Sequence, residues 1–427
     1  MKAEHAKREI EKLKLGLEAI DSNVKLLADL GWSREVEEQF FARGCRSLPE
    51  PEYLIDRQAL HREVASLRAL SSAIEGEGEI RAWLQSILGS YIDRARLLLA
   101  CGTPEFGKLS VDVYGGAQSV FAGLEKTNIE LARHLQERLT MHGWDAAHDT
   151  EDELLDAHRL AAFLEERIAR RKIPVKVILD PKCTSKVIAG SKRVRVRPDA
   201  TFTAWEAEGL YRHEIETHVY SALNGAAQVA VPFLKSGGPR STRTQEGLAV
   251  FAELYHRALA VPRLSRLALR VEMVDMAEKG ASFLDVFRFL VRDKGVAERE
   301  AYLDASRIFR GAPLEGGAPF TKDACYLAGL VEVHTFLGTF VRAGFRDECE
   351  MLLSGRFALE DLDALVELRA LGILERPRLR PRWLREWGTL LPFFAFTSFI
   401  DGIDRAQLEK KYARALEVAS QAAPRHQ

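Results

Sequence analysis

Residues 210–225 read "LYRHEIETHVYSALNG" and bring His213, Glu214 and His218 together within six positions. Histidine nitrogens are good ligands for Zn2+, and a glutamate beside a ligand can take a proton from an attacking water. Zinc peptidases usually write this signature H-E-x-x-H, with the histidines four apart; here they stand five apart. In a regular α-helix, residues four apart differ by about 40° around the axis and residues five apart by about 140°. His213 and His218 would then point away from each other. One π-bulge adds a residue to a turn and restores the shared face, and such bulges favour functional sites. The spacing therefore predicts a distorted helix. The competing reading is a helix with solvated His and Glu side chains.

A catalytic zinc needs a third protein ligand and an open fourth position. The segment "STRTQEGLAVFAELYHRAL", 241–259, has an apolar, helix-forming body after Thr244, with Glu246 in its first turn and Gly247 directly behind. Glycine inside a helix costs about 1 kcal/mol against alanine. Close approach to the histidine-bearing helix would explain Gly247 and would deliver Glu246. An ordinary helix start, where acids suit the dipole, explains the same residues. Spacing leaves both readings open. His256 is a weaker alternative ligand.

"HEIETH" followed by "TRTQEGLAVFAE" resembles the QEGLA-motif family. Its bacterial members were long of unknown function, and it includes the animal microtubule-associated tyrosine carboxypeptidases, which remove the C-terminal tyrosine of α-tubulin. The likeness runs from the N-terminal helices through "PFTKDACYLAGLVEV" near residue 330, most of the chain. It implies one Zn2+ held by His213, His218 and Glu246, Glu214 as general base, and carboxypeptidase action on a peptide or protein C-terminus. Tubulin as the substrate does not follow, because nothing in this sequence marks a tubulin-binding surface.

That chemistry asks for further residues. Glu214 would pass a proton from a zinc-bound water to the departing amine, and a polar donor should meet the oxyanion. Tyr326 is the candidate, with Tyr220 and Tyr211 behind it; each could equally be a core tyrosine. Metal-bound histidines usually donate their other nitrogen to an acceptor. Glu216 and Glu253 are candidates, Glu253 lying seven residues after Glu246 on the same helical face, and both could be solvated acids instead. A substrate carboxylate suits the planar fork of arginine. Arg240 and Arg243 precede Glu246, while Arg307, Arg310 and Lys322 surround a second loop; any of these could be a surface ion pair. Lys322, Tyr326, Gly329 and Val333 share a helical stripe that could wall a pocket or be plain core. Two other readings stay open. One is an aminopeptidase or dipeptidyl peptidase, since H-E-x-x-x-H also resembles dipeptidyl-peptidase III enzymes. The other is a non-catalytic helical regulator with a structural metal.

The elements that must position these groups are mostly helical. "REIEKLKLGLEAI", "REVASLRALSSAI" and "IRAWLQSILGSYIDRARLLLA" repeat apolar residues three and four apart. "IPVKVILD" (173–180) and "KRVRVRPD" (192–199) read as strands, the second with Val194 and Val196 on one face and Arg193, Arg195 and Arg197 on the other. "LSVDVYGG" (109–116) has the same alternation. A small sheet with a charged edge strand is expected just before the histidine helix, the arginines discouraging aggregation. "PFLKSGGPRSTRT" (232–244) and "GAPLEGGAPF" (311–320) read as loops. The expected fold is mainly α with a small β-sheet: a zincin-like metallopeptidase core in 166–420 carrying the HExxxH helix, under a helical N-terminal layer, 1–165, in one compact unit. "AAPRHQ" reads as a frayed tail.

Composition narrows the class. Of 427 residues, 29% are charged and 47% hydrophobic, with formal net charge −1, so no overall pull toward nucleic acid or anionic membrane is expected. Five scattered cysteines without C-x-x-C spacing argue against a disulfide framework. The most apolar run, "LLPFFAFTSFI" (390–400), is too short for a membrane span and holds Pro392. The charged N-terminus lacks the apolar core of a signal peptide, and a cytoplasmic protein is expected.

Overall fold

A computed structural model describes residues 2–20, 25–139, 154–181, 183 and 185–400. The architecture is mainly helical with one three-stranded sheet, as the periodicities predict. Helices Lys2–Ala19, Arg57–Ala73 and Glu79–Leu99 bury Ile10, Leu13, Leu67, Leu84 and Leu88, residues spaced to form one apolar face on each helix. Their core is shared. The same hydrophobic cluster takes in Val194 of the sheet, Ile215 of the histidine helix and Leu248 behind Glu246. A second cluster is aromatic, built on Phe40, Phe283, Phe287 and Tyr302.

The strands are β1 (Lys176–Leu179), β2 (Val187–Ala189) and β3 (Arg193–Val196), in the order β1-β3-β2. β3 runs parallel to β1 and antiparallel to β2. Val194 and Val196 are fully buried, as the alternation requires. The charged strand is nevertheless central, not an edge. Alternation sets which face a side chain takes but says nothing about the strand's rank in the sheet. The arginines are accommodated by acids outside it: Arg195 pairs with Asp180 at 3.5 Å and Arg197 with Asp199 at 2.8 Å. The edge on the histidine-helix side is β2.

"LSVDVYGG" departs from expectation, since residues through Tyr114 form the helix Pro104–Tyr114. Pro104 opens that helix, and Gly115 ends it at φ 75°. Phe106, Leu109, Ser110 and Tyr114 are buried at helical spacing, so packing overrides the short alternation. The loop 232–244 holds two tight turns, Pro232–Lys235 and Pro239–Ser241, and the next helix starts at Thr242. Glu246 therefore sits in that helix's second turn rather than its first. "LLPFFAFTSFI" lies in the helix Trp387–Ile400, where Pro392 bends the pattern without ending it. Leu390 and Phe394 are buried there, while Leu391 and Phe396 are exposed. The stretch Thr321–Arg342 is long and apolar enough to cross a membrane by length and composition, yet most of it is buried inside the protein. All five cysteines are free. The tail "AAPRHQ" lies outside the described residues.

Candidate metal centre

The histidine helix begins with a reciprocal cap: the Thr203 hydroxyl accepts from Glu206 N–H, and the Glu206 carboxylate from Thr203 N–H. After Ala204–Leu210 the chain runs as a π-helix over Tyr211–Val219, then returns to α over Tyr220–Ala227. The wider turn absorbs the extra residue between the histidines. Their rings stand 4.8 Å apart, centroid to centroid, nearly perpendicular. Thr217 Oγ1 donates to the Arg212 carbonyl five residues back, at 3.0 Å, an added bond across the widened turn. Tyr211, Ile215 and Val219 are buried in the main core and lock the distorted segment in place.

Glu246 arrives on the helix Thr242–Tyr255. A β-carbon on Gly247 would stand 2.2 Å from the backbone of Gly329, and one on Gly329 2.1 Å from the Arg243 carbonyl. The glycine thus serves close approach, but to the helix Cys325–Arg342 rather than to the histidine helix. Lys322 reaches Glu246 there, with the Tyr326 hydroxyl beside Lys322. Glu246 Oε2 lies 3.3 Å from His213 Nε2 and 3.4 Å from His218 Nε2. The three ligand atoms all fall within 4.8 Å of one another. Oε2 is buried and has no hydrogen-bond partner. For metal–ligand bonds of about 2.0–2.1 Å, the edge of a tetrahedron is about 3.3–3.4 Å. The two carboxylate–imidazole separations match that edge, so this donor set fits a zinc-sized ion.

The surrounding groups hold these ligands in place. Glu253 Oε1 is 2.6 Å from His213 Nδ1, and Arg263 Nε in turn donates to Glu253 Oε2 at 3.3 Å. Glu216 does not meet a histidine. It faces Arg212 at 2.6 Å and Arg171 at 3.5 Å, on the side where Tyr211 and Tyr220 also feel its charge. His256 ends the Glu246 helix with Nδ1 2.9 Å from the Ala252 carbonyl and takes no part in the cluster. Glu214 Oε2 accepts from the Ala189 N–H of edge strand β2 at 3.0 Å. Lys322 Nζ lies 3.3 Å from Glu246 Oε1 and 3.4 Å from the Tyr326 hydroxyl, both side chains being buried.

Burial pushes the Glu246 carboxyl up, but Lys322 and the two imidazoles hold it well below the usual carboxylate range. Burial likewise opposes charge on His213, yet the carboxylates of Glu246 and Glu253 beside its ring outweigh that and raise it to about 10. Asp323, next to Lys322, is fully buried and held far below its ordinary value against its own burial by Arg307 and Arg270.

Of the basic residues singled out above, most are already neutralised. Arg240 pairs with Asp361, Arg243 with Glu332 at 2.9 Å, Arg307 with Asp323 and Lys322 with Glu246. Among the described residues Arg310 has no carboxylate partner; its Nε is buried without an acceptor, and its guanidinium lies over the Phe320 ring. The sequence reading missed Arg356. Its Nη2 donates to the carbonyl of His218 at 3.3 Å, and its Nε is buried without an acceptor. Burial disfavours its charge, offset by Glu246 and Glu214. "SGRF" (354–357) carries no spacing signal that would have found it. The buried acid Asp323, adjacent to Lys322 in "TKDA", was visible but not singled out.

The model of a family described as microtubule-associated tyrosine carboxypeptidase matches residues 38–402. No curated protein matches the chain.

Proposed function

The chain belongs to the microtubule-associated tyrosine carboxypeptidase family, and from that premise we propose that it is a zinc metallocarboxypeptidase that cleaves the last peptide bond of a peptide or protein C-terminus. The observation that carries this reading is Glu246 Oε2, buried, without a hydrogen-bond partner and set at tetrahedral-edge distance from His213 Nε2 and His218 Nε2. These three residues would hold one ion. Three protein donors among the described residues is also the number a catalytic zinc takes, whereas structural sites close with four.

Bound there, Zn2+ would polarise the scissile carbonyl and make water acidic enough to attack near neutral pH. The remaining work falls to the chain's own side chains. Glu214 takes the proton of the attacking water and returns it to the departing amine; the Ala189 N–H fixes one of its oxygens and so sets the direction of the other. Glu253 accepts the Nδ1 proton of His213, which selects the tautomer whose Nε2 lone pair faces the ligand cluster. The Tyr326 hydroxyl, steadied by Lys322, is the donor for the oxyanion. Edge strand β2 beside the histidine helix supports a zincin-like core.

Glu214→Gln purified without chelator tests the assignment. It should keep one zinc per chain and lose hydrolysis of free-acid peptides; retained turnover would remove Glu214 from its role. Amidating the peptide C-terminus should abolish cleavage by the wild type, and an indifferent enzyme would turn the reading toward an aminopeptidase or endopeptidase.

A further inference from the structure

Resting on the carboxypeptidase reading, we propose that Arg356 is the recognition residue for the substrate's free α-carboxylate. A part-buried guanidinium without an ion-pair partner is costly, because the partial desolvation of its charge is not repaid. Around this centre most buried and part-buried cations are paired by the protein: Arg240 with Asp361, Arg243 with Glu332, Arg263 with Glu253, Arg270 and Arg307 with Asp323, Lys322 with Glu246. Among the described residues, the part-buried Arg356 and Arg310 have no such partner. Arg310 stacks on Phe320 and has Arg307, Asp323, Tyr326 and Tyr114 as its charged or ionisable neighbours. Arg356 instead has Glu246 and Glu214 as its neighbouring charges, and Nη2 is tied to the carbonyl of the ligand His218.

That tether holds the guanidinium beside the backbone of a ligand residue. Arg356 also lines a shallow cleft with Trp83, Tyr91, Phe233, Ser241 and Phe357, whose wall carries the Arg240–Asp361 pair and none of the three ligand residues. The planar fork of arginine gives two parallel bonds to a carboxylate, which lysine cannot copy.

The test uses N-blocked tetrapeptides that vary at the last residue, each as free acid and as C-terminal amide, on the full-length zinc-loaded protein. The wild type should prefer the acid by about 100-fold in kcat/KM, the scale of a desolvated charge-assisted pair. Arg356→Met should bring that ratio close to one, with the loss mainly in KM, and Arg356→Lys should restore only part of it. Unchanged zinc content and far-UV circular dichroism would exclude misfolding as the cause. If the wild type cleaves none of the free acids, the carboxypeptidase reading falls and this inference with it. If the wild type prefers acids and Arg356→Met keeps the full preference, the reading stands and the role of Arg356 is overturned.

Discussion

The two walls of the metal centre treat buried charge in opposite ways. On one, Glu253 with Arg263, Asp323 with Arg307 and Arg270, and Glu246 with Lys322 form a chain of compensated ions running back from the histidines into the core. On the other, Arg356 rests on the His218 carbonyl with no ion-pair partner among the described residues. Compensated charge inside a protein fixes geometry, because either partner left alone is expensive. Unmatched charge at a cleft reserves energy for a ligand, and the protein forgoes some stability to keep it. One wall positions the ligands and the other waits for a substrate.

This contrast can be broken most directly at Asp323. Asp323→Ala strands Arg307 and Arg270 and should cost about 3–5 kcal/mol in urea unfolding; a loss under 1 kcal/mol would mean that wall is not held by its ion pairs. Gly247→Ala tests the helix crossing that delivers Glu246. Its new methyl group meets the Gly329 backbone at 2.2 Å, so about 1–3 kcal/mol of stability should go, with weaker zinc binding beside it. Wild-type stability would show that the two helices can separate freely. Glu253→Gln removes the anion behind His213 and should weaken zinc affinity about 10–100-fold in a chelator competition, leaving the acid-over-amide preference alone.

The pH dependence of zinc binding sharpens the picture of the compensated wall. In the metal-free protein His213 is raised from 6.5 to about 10 by Glu246 and Glu253 against its burial. The stability this contributes is complete below the unfolded value and is lost as pH rises through about 10. Zinc requires the neutral ring, so at pH 7 its uptake must expel that proton. Affinity should therefore rise about tenfold per pH unit between pH 7 and 8.5, read by competition with a chelator whose own protonation is corrected. A flat profile would show that His213 is already neutral before the metal arrives. The smallest effect is expected on the opposite wall. Arg356→Met should leave the thermal midpoint nearly unchanged, since it removes a part-buried charge that has no ion-pair partner among the described residues; a large fall would give Arg356 a structural partner.

What was legible in the sequence is what local spacing constrains. Two histidines five positions apart require either a wasted motif or a widened turn, and the widened turn is what Tyr211–Val219 adopts. Alternation in "KRVRVRPD" predicts two buried valines, and they are fully buried. "LSVDVYGG" misled because eight residues of alternation weigh less than a helix-opening proline and an apolar face offered by the rest of the fold. The placement of Glu253 behind His213 was within reach, since seven residues return to the same helical face.

By itself, then, the chain order determined the widened turn, the residue types at its centre and the faces of the strands, because each depends on neighbours a few positions away. Only tertiary packing decided that β3 lies in the middle of the sheet, that Gly247 meets Gly329 and that Arg356 comes to rest on the His218 carbonyl. Those contacts join segments separated by many turns of chain. No periodicity couples such segments; they meet because burying their apolar surfaces together leaves one arrangement in which nearly every buried charge finds a partner.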